Sequence, residues 1–289
     1  MRKHYKQAAF TLIELIVVIV LLGVLAGGTG LLITTPIQAY SDQLRRQQLV
    51  DQAEMALRQI ARDVRRALPN SIRISPVVPA GWALEMVNSI DGARYRDEFG
   101  GVFTVDTDIL DFLAPDTEFN FLGQLNNTAL GVLALGQRLV IYNTVPDNFY
   151  ADAVSNNNPG IVTPSTTTLI LTANGNEHHL TMAPAFQFSQ QSPGQRAFIV
   201  DGPISYICTP ASRNMTRYSN YAYQDPQPTA APVGGAASGL VVTQLAACSI
   251  SYQAGAAQRG GLVTIEITLD DASGESITLL HQVHVDNVP

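Results

Sequence analysis

From Phe10 to Tyr40 the chain carries a single charge, Glu14. The stretch from Leu15 to Ile33 is long enough to cross a bilayer, which takes about 20 apolar residues. A span-length apolar helix has no structural use for an acid near its start. A charge at the bilayer centre costs about 2.5–3.5 kcal/mol on insertion scales. An acid retained in such a stretch is therefore read as functional. The apolar run also fixes the architecture, because a helix of this kind must be covered by lipid or by other helices rather than by its own chain.

The residues before the run sharpen this reading. Met1 to Ala9 holds Arg2, Lys3, His4 and Lys6 and no apolar region of any length. A secretory signal peptide places its apolar region before a small-residue cleavage site. Here the short-leader junction, Ala9-Phe10, precedes the apolar run, and cleavage there would leave that run as the new amino terminus. The leader cations keep Met1 to Lys6 cytoplasmic and send the carboxyl-terminal bulk outside.

The order basic leader, Phe10-Thr11-Leu12-Ile13-Glu14-Leu15, apolar helix resembles the type IV pilin and pseudopilin family residue for residue. That family usually has Gly before the cut; Ala9 stands here, and is small enough to be cleaved. The resemblance implies cleavage by a prepilin peptidase between Ala9 and Phe10. It also implies N-methylation of the Phe10 amine and pairing of that amine with Glu14 of a neighbouring subunit. The physics agrees, since each charge alone is expensive in hydrocarbon and pairing relieves both. The alternative is an unpaired Glu14 in the headgroup zone.

Net charge is −7, and loss of Arg2, Lys3 and Lys6 makes the remainder three units more negative. That balance excludes a nucleic-acid partner, which requires a basic patch to neutralise phosphates. Lys3 and Lys6 are the only lysines, so every later cation is Arg. The two cysteines, Cys208 and Cys248, read as a disulfide in a chain exported to an oxidising compartment. Closing that loop is worth about 4 kcal/mol in the chain-entropy model. Two buried thiols are the alternative. Neither cysteine belongs to a CxxC pair, so no metal site is expected.

Pro36 is expected to interrupt or kink the helix, and the Gly27-Gly28-Thr29-Gly30 stretch to weaken it. Gly23 and Gly27 form a small-xxx-small face on which helices can approach closely. Beyond Pro36, residues 41–68 are amphipathic. Val50, Ala53, Leu57, Ile60, Val64 and Ala67 recur at steps of three and four. Arg45, Arg46, Arg58, Arg62, Arg65 and Arg66 lie mostly off that stripe and read as a solvated face. Pro69 is expected to end the helix at Leu68. Residues 10–68 would make a helix of about 85 Å if continuous, too long for one globular domain and natural for a filament spine.

After Pro69 the period changes to two. Val263, Ile265, Ile267 and Leu269 alternate with polar residues, Asp270 to Gly274 form a turn, and Ile277 to Val285 resume the alternation, predicting a β-hairpin. Further strands are expected at Ser71–Val78, Ile109–Leu113, Arg138–Tyr142, Thr167–Thr172, Ala197–Val200, Ile204–Cys208 and Ala246–Tyr252. Loops are expected at Ser155 to Gly160 and at Asp225 to Ser238, the second tethered by the disulfide. No repeat is evident.

No catalytic constellation stands out. His178-His179 are adjacent and His281 and His284 three apart, so each pair falls on opposite faces of a strand. Asp106, Asp108 and Asp111 lack the Gly and terminal Glu of a calcium loop. Neither a phosphate loop nor a GxSxG or HExxH motif is present.

The carboxyl-terminal half narrows the resemblance. Arg196 to Val200, Pro203 to Cys208, Arg217-Tyr218 and Leu280 to Pro289 look like minor pilins of mannose-sensitive haemagglutinin (MSHA) pili, as does Asp51 to Asp63. The expectation is an α+β protein. Its parts are a prepilin leader (1–9), an apolar transmembrane helix half (10–40), an amphipathic half (41–68) and a β-rich, antiparallel head (69–289) in the periplasm. The implied role is fibre assembly, priming or tip formation rather than catalysis, without a cofactor. The implied partners are prepilin peptidase, major and minor pilins, an inner-membrane assembly platform and membrane lipid. A pseudopilin of type II secretion and a tip carbohydrate-binding adhesin are the alternatives. A secreted enzyme cleaved near Ala26 is more remote.

Overall fold

The computed structural model describes residues 10–98, 109–255 and 260–289, with residues 28–35 described by their backbone alone. The expected prepilin leader, including Ala9, and the aspartates 106 and 108 lie outside the described residues.

One helix, α1 (Leu12–Arg65), precedes a β-rich head. Its 54 residues make it about 81 Å long at 1.5 Å per residue. The helix is continuous through Pro36, so the expected interruption does not occur. Proline removes one backbone donor, and the hydrogen-bonded turns on either side carry the helix across. Gly27-Gly28-Thr29-Gly30 is likewise helical.

The helix ends at Arg65, three residues before the expected stop at Leu68. Its terminal backbone groups go to the head instead of to another turn. Leu68 N–H donates to Val87 O at 2.8 Å, and Ser89 N–H donates to Arg66 O at 2.9 Å. Ala67 bridges Asn88.

The head contains β1 (Arg73–Pro76), β2 (Trp82–Arg94), β3 (Asp116–Phe121), β4 (Gly131–Val132), β5 (Arg138–Ile141), α2 (Pro146–Ser155), β6 (Thr168–Asn174), β7 (Glu177–Phe186), β8 (Arg196–Thr209), β9 (Asn214–Ser219), β10 (Ala237–Thr243), β11 (Leu245–Gln253), β12 (Gly261–Asp270) and β13 (Ser276–Val285). These form three antiparallel sheets. The central sheet runs β1-β2-β8-β9-β10, with β5 pairing the first half of β8. A second runs β3-β7-β6-β4, and the third is the meander β11-β12-β13. The molecule is thus an α+β protein with a helix packed on a β head.

The buried stripe of α1 is Leu49, Ala53, Ala56, Leu57, Ile60, Ala61 and Val64. It shares one core with Leu84, Met86, Tyr206 and Met215 of the central sheet and with Val263, Ile265, Ile267, Leu269, Ile277 and Val283 of the meander. A second core lies under the β3-β7-β6-β4 sheet, around Phe119, Phe121, Leu171, Leu180, Phe186 and Ile199. A smaller one seats Phe149, Tyr150 and Ala153 of α2 against Val87, Val140 and Val200.

The predicted hairpin is β12–β13, paired from Gly261 with Val285 to Asp270 with Ser276. Its turn is built on Asp271, whose carboxylate accepts from the N–H groups of Ser273 and Glu275. Ile109–Leu113 is not a strand. There Asp111 N–H donates to the Asp116 carboxylate at 2.8 Å and Leu113 N–H to the Asp111 carboxylate at 2.7 Å, and these local bonds replace a ladder. Ala197–Val200 and Ile204–Cys208 are one strand, β8.

Candidate functional site

The amino-terminal end of α1 is built by Thr11. Its backbone is extended, with φ −82° and ψ 150°, and its Oγ accepts the Glu14 N–H at 3.4 Å. Thr11-Leu12-Ile13-Glu14 is the Thr-x-x-Glu signature of a helix start, a signal carried by the sequence itself. Glu14 therefore stands in the first turn, where a negative charge complements the positive end of the helix dipole. Phe10, 82% exposed, lies just before the cap.

From Leu12 to Leu25 the large apolar side chains of α1 are all exposed. A Cβ added at Gly23 or Gly27 would meet open space, so this chain leaves the small-residue face free. Among the described residues no helix is long and apolar enough to cross a membrane. Described side chains of the apolar stretch stop at residue 27, while the sequence continues apolar to Ile33.

The other end of α1 is tied to the head by polar contacts. Asp63 Oδ2 accepts from Tyr206 OH at 2.6 Å and from Arg217 Nε at 2.7 Å. Burial raises the Tyr206 hydroxyl above its ordinary value, and its bond to Asp63 adds to the effect. Gln52 Nε2 donates to Thr243 Oγ1 at 2.7 Å, and Arg46 pairs with Glu275 at 3.3 Å. These contacts join residues far apart in sequence, and no local pattern announces them.

Inside the head, Glu85 is fully buried. It accepts from Arg73 Nε at 2.5 Å and from Tyr221 OH at 2.8 Å. Burial pushes its carboxyl above the ordinary carboxylate value, against the pull of Arg73. The Arg73 guanidinium lies 3.5 Å from the centre of the Tyr150 ring and also donates to Gln224 O. Gln227 Nε2 donates to Ala83 O at 3.0 Å, and Ser75 Oγ donates to Gln227 Oε1 at 2.9 Å. The Pro/Gly-rich excursion is thus pinned by its own contacts to β1 and β2 as well as by the disulfide. That bridge joins Cys208 of β8 to Cys248 of β11, with Cα atoms 6.6 Å apart, and so links the central sheet to the meander.

His178 and His179 are placed by β7 of the second sheet. His178 Nδ1 accepts from Leu125 N–H at 3.1 Å, while the His179 ring sits between Asn120 Oδ1 at 2.7 Å and Glu118 Oε2 at 3.2 Å. His281 and His284 lie at separate positions on β13. Among the described residues no group of three or more His, Cys, Asp or Glu is arranged to hold a metal ion.

Comparison with protein families finds the prokaryotic N-terminal methylation motif over residues 4–30. No curated protein and no solved structure matches the chain. The motif takes in the end of the leader from His4, then Phe10, Glu14 and the apolar start of α1, and it is a type IV pilin-like prepilin signal. Joined to a helix packed on an antiparallel β head, it indicates a type IV pilin-like or pseudopilin protein. Such a motif implies encounters with a prepilin peptidase and with other pilins.

Proposed function

We propose that the chain is a minor, pilin-like subunit of an MSHA-type IV pilus that acts in priming or assembling the fibre, or at its tip. The observation that carries this reading is the exposed apolar face of α1, with Glu14 as its one acid in the first turn. A helix that leaves Leu12 to Leu25 uncovered requires lipid first and other helices later. The subunit is inserted once in the inner membrane, with the head in the periplasm. The peptidase cuts between Ala9 and Phe10, the new amine is methylated, and Glu14 pairs with a neighbour's amine. The role is structural rather than enzymatic. The resemblance of residues 51–63, 196–200, 203–208, 217–218 and 280–289 to the minor pilin MshO is the ground for the MSHA assignment, and an inner-membrane assembly platform is the further partner it implies.

Intact-mass measurement on chain isolated from cells tests the reading. Because the processed chain has no lysine, the α-amine of Phe10 is its only amine. The expected mass lacks Met1 to Ala9 and carries one added methyl group. Retention of the leader in a strain with active peptidase would overturn it.

A further inference from the structure

Two adjacent histidines of β7 stand in opposite hydrogen-bonding surroundings. His178 Nδ1 accepts the Leu125 N–H at 3.1 Å. That nitrogen carries no proton, and the ring is neutral with its hydrogen on Nε2. His179, directly across the ladder from Asn120, meets an acceptor at each nitrogen. Its Nδ1 lies 2.7 Å from Asn120 Oδ1, and its Nε2 lies 3.2 Å from Glu118 Oε2.

The Asn120 amide is held in that sense from its other side. Its Nδ2 donates to Glu177 Oε2 at 3.1 Å, and Glu177 is itself paired with Arg96. Asn120 is fully buried, so turning the amide over would set its oxygen against a carboxylate with no water to relieve it. Carboxylates thus close the chain at both ends, Glu118 at one and Glu177 at the other. His179 must donate in both directions to satisfy it. A neutral imidazole has one N–H and an imidazolium two, so the full set of bonds exists only when His179 is charged.

The charged groups around the ring are Glu118 of β3, Glu177 on the same strand and face, and Arg96 beyond Glu177. On the other side β6 sets Thr172 opposite His179 and has no titratable residue. The Asp116 carboxylate is taken by the N–H groups of Asp111, Thr117 and Glu118. The chain stands where the second sheet meets the central one. β3 is the edge strand of its sheet, and its register shifts between Asp116 and Glu118. It is also tied to the end of β2, through Arg96 N–H to Asn120 O at 2.9 Å and Leu122 N–H to Arg94 O at 2.7 Å.

We propose that His179 is a proton-dependent latch, whose imidazolium ties β3 to β7 at this junction and whose deprotonation frees Glu118 and loosens the edge. The bond to Glu118 is the one given up, because it is the longer of the two and that carboxylate is 32% exposed. The neutral ring then keeps its hydrogen on Nδ1, the reverse of His178. The latch holds while the ring is charged and both carboxylates are ionised. It is released as pH rises through the imidazole range, about pH 6.5 for a free side chain. Phe119 and Phe121 stay in the core beneath, so the release is confined to the edge and the head stays folded. His178 works in the opposite sense, since a proton on its Nδ1 would face the Leu125 N–H, and it cannot mimic the effect.

The test uses the full chain in detergent and two readouts. Amide hydrogen exchange of residues 116–121 is followed from about pH 5.5 to about pH 8, each rate divided by that of the same peptide unfolded. Protection should fall by about fivefold or more across that range, while β12 stays constant. H179R, which keeps two donors and a fixed charge, should stay protected throughout. H179F, with no donor, should be poorly protected throughout, and E118Q should shrink the step. Nitrogen-15 spectra of the histidine rings at the alkaline end should show the hydrogen of His179 on Nδ1 and that of His178 on Nε2. The Cys208–Cys248 bridge and the protection of β12 check that each variant folds. Absence of the step in the parent, a step that survives in folded H179F, or a His179 hydrogen on Nε2 would each overturn the latch.

Discussion

Arg217 Nε donates to Asp63 Oδ2 at 2.7 Å and so couples the last turn of α1 to β9, 154 residues away. Tyr206 of β8 donates to the same oxygen. Both cationic and phenolic partners are largely buried against the helix, so one carboxylate satisfies two donors that water reaches poorly. Truncating Asp63 would leave a shielded guanidinium and a buried hydroxyl unpaired. Asp63→Ala is expected to cost about 2–3 kcal/mol, below the full cost of breaking a buried pair because Arg217 keeps some solvent contact. Asp63→Asn keeps an acceptor and should cost less. Denaturant unfolding of the detergent-solubilised chain measures both, and equal stability of Asp63→Ala and the parent would remove the anchoring role.

The disulfide makes a separable prediction. Cys208 is buried in the shared core, and Cys248 is packed against it. The bridge should therefore stabilise the junction of the central sheet and the meander, and Cys208→Ser should lower stability by about 2–5 kcal/mol. It should not by itself release the Gln224–Gly235 stretch, which Arg73, Ser75 and Ala83 hold through Gln224 and Gln227. Gln227→Ala, with the bridge intact, should speed proteolysis of that stretch. If only Cys208→Ser does so, the bridge is the sole tether.

These anchors show where the sequence is legible and where it is not. The second half of α1 is legible because its stripe repeats at helical spacing, and β12–β13 because its alternation is clean. β2 hides its period. Ala83 to Val87 are all buried, since both faces of the central sheet are covered there, and alternation vanishes under two-sided burial. Asp91-Gly92, with the composition of a turn, sits inside the same strand, where a Cβ at 92 would come within 2.8 Å of Phe198. The α2 helix is short and carries its signals at the ends, Pro146 in the first turn and Asn156 left-handed at φ 53°. At the amino-terminal site, Glu14 stands out as a lone acid among apolar residues. Asp63, Tyr206 and Arg217 do not, because only the fold brings together residues so far apart.

Alkaline pH should unfold the head through its buried phenols. Burial raises the hydroxyls of Tyr206 and Tyr221 above the ordinary value of 10.0, and nearby Asp63 and Glu85 push the same way. A group whose folded value is raised stabilises the fold fully below its unfolded value. That contribution is lost as pH climbs from there toward the folded value. Stability should therefore hold to about pH 10 and fall beyond it. Ionisation of the buried phenols should accompany loss of tertiary structure rather than precede it. Tyr206→Phe should weaken the alkaline loss while giving up one bond to Asp63. Ionisation of all phenols in a still-folded head would contradict this account.

Glu14 has two physical roles that substitution can separate. Locally, its N–H bonds Thr11 Oγ at 3.4 Å, and its charge sits in the first turn of α1. Between subunits, its carboxylate is proposed to pair with a neighbour's Phe10 amine. Thr11→Ala removes the cap and should cost about 0.5–2 kcal/mol of local helix stability, with incorporation into the fibre preserved. Glu14→Val removes the charge. It should leave leader cleavage intact and make insertion easier, since the desolvation cost is gone, while crosslinking to neighbouring pilins falls. Glu14→Gln is the finer probe. Gln serves as well as Glu at the third position of a capping box, so the helix start survives and only the charge is lost. Incorporation of Glu14→Gln should then lie between the parent and Glu14→Val. If Thr11→Ala fails to incorporate while Glu14→Gln is normal, the acid works through the helix cap and the pairing between subunits is wrong. Sheared-fibre content and crosslinking of the three variants, read side by side, decide which role governs assembly.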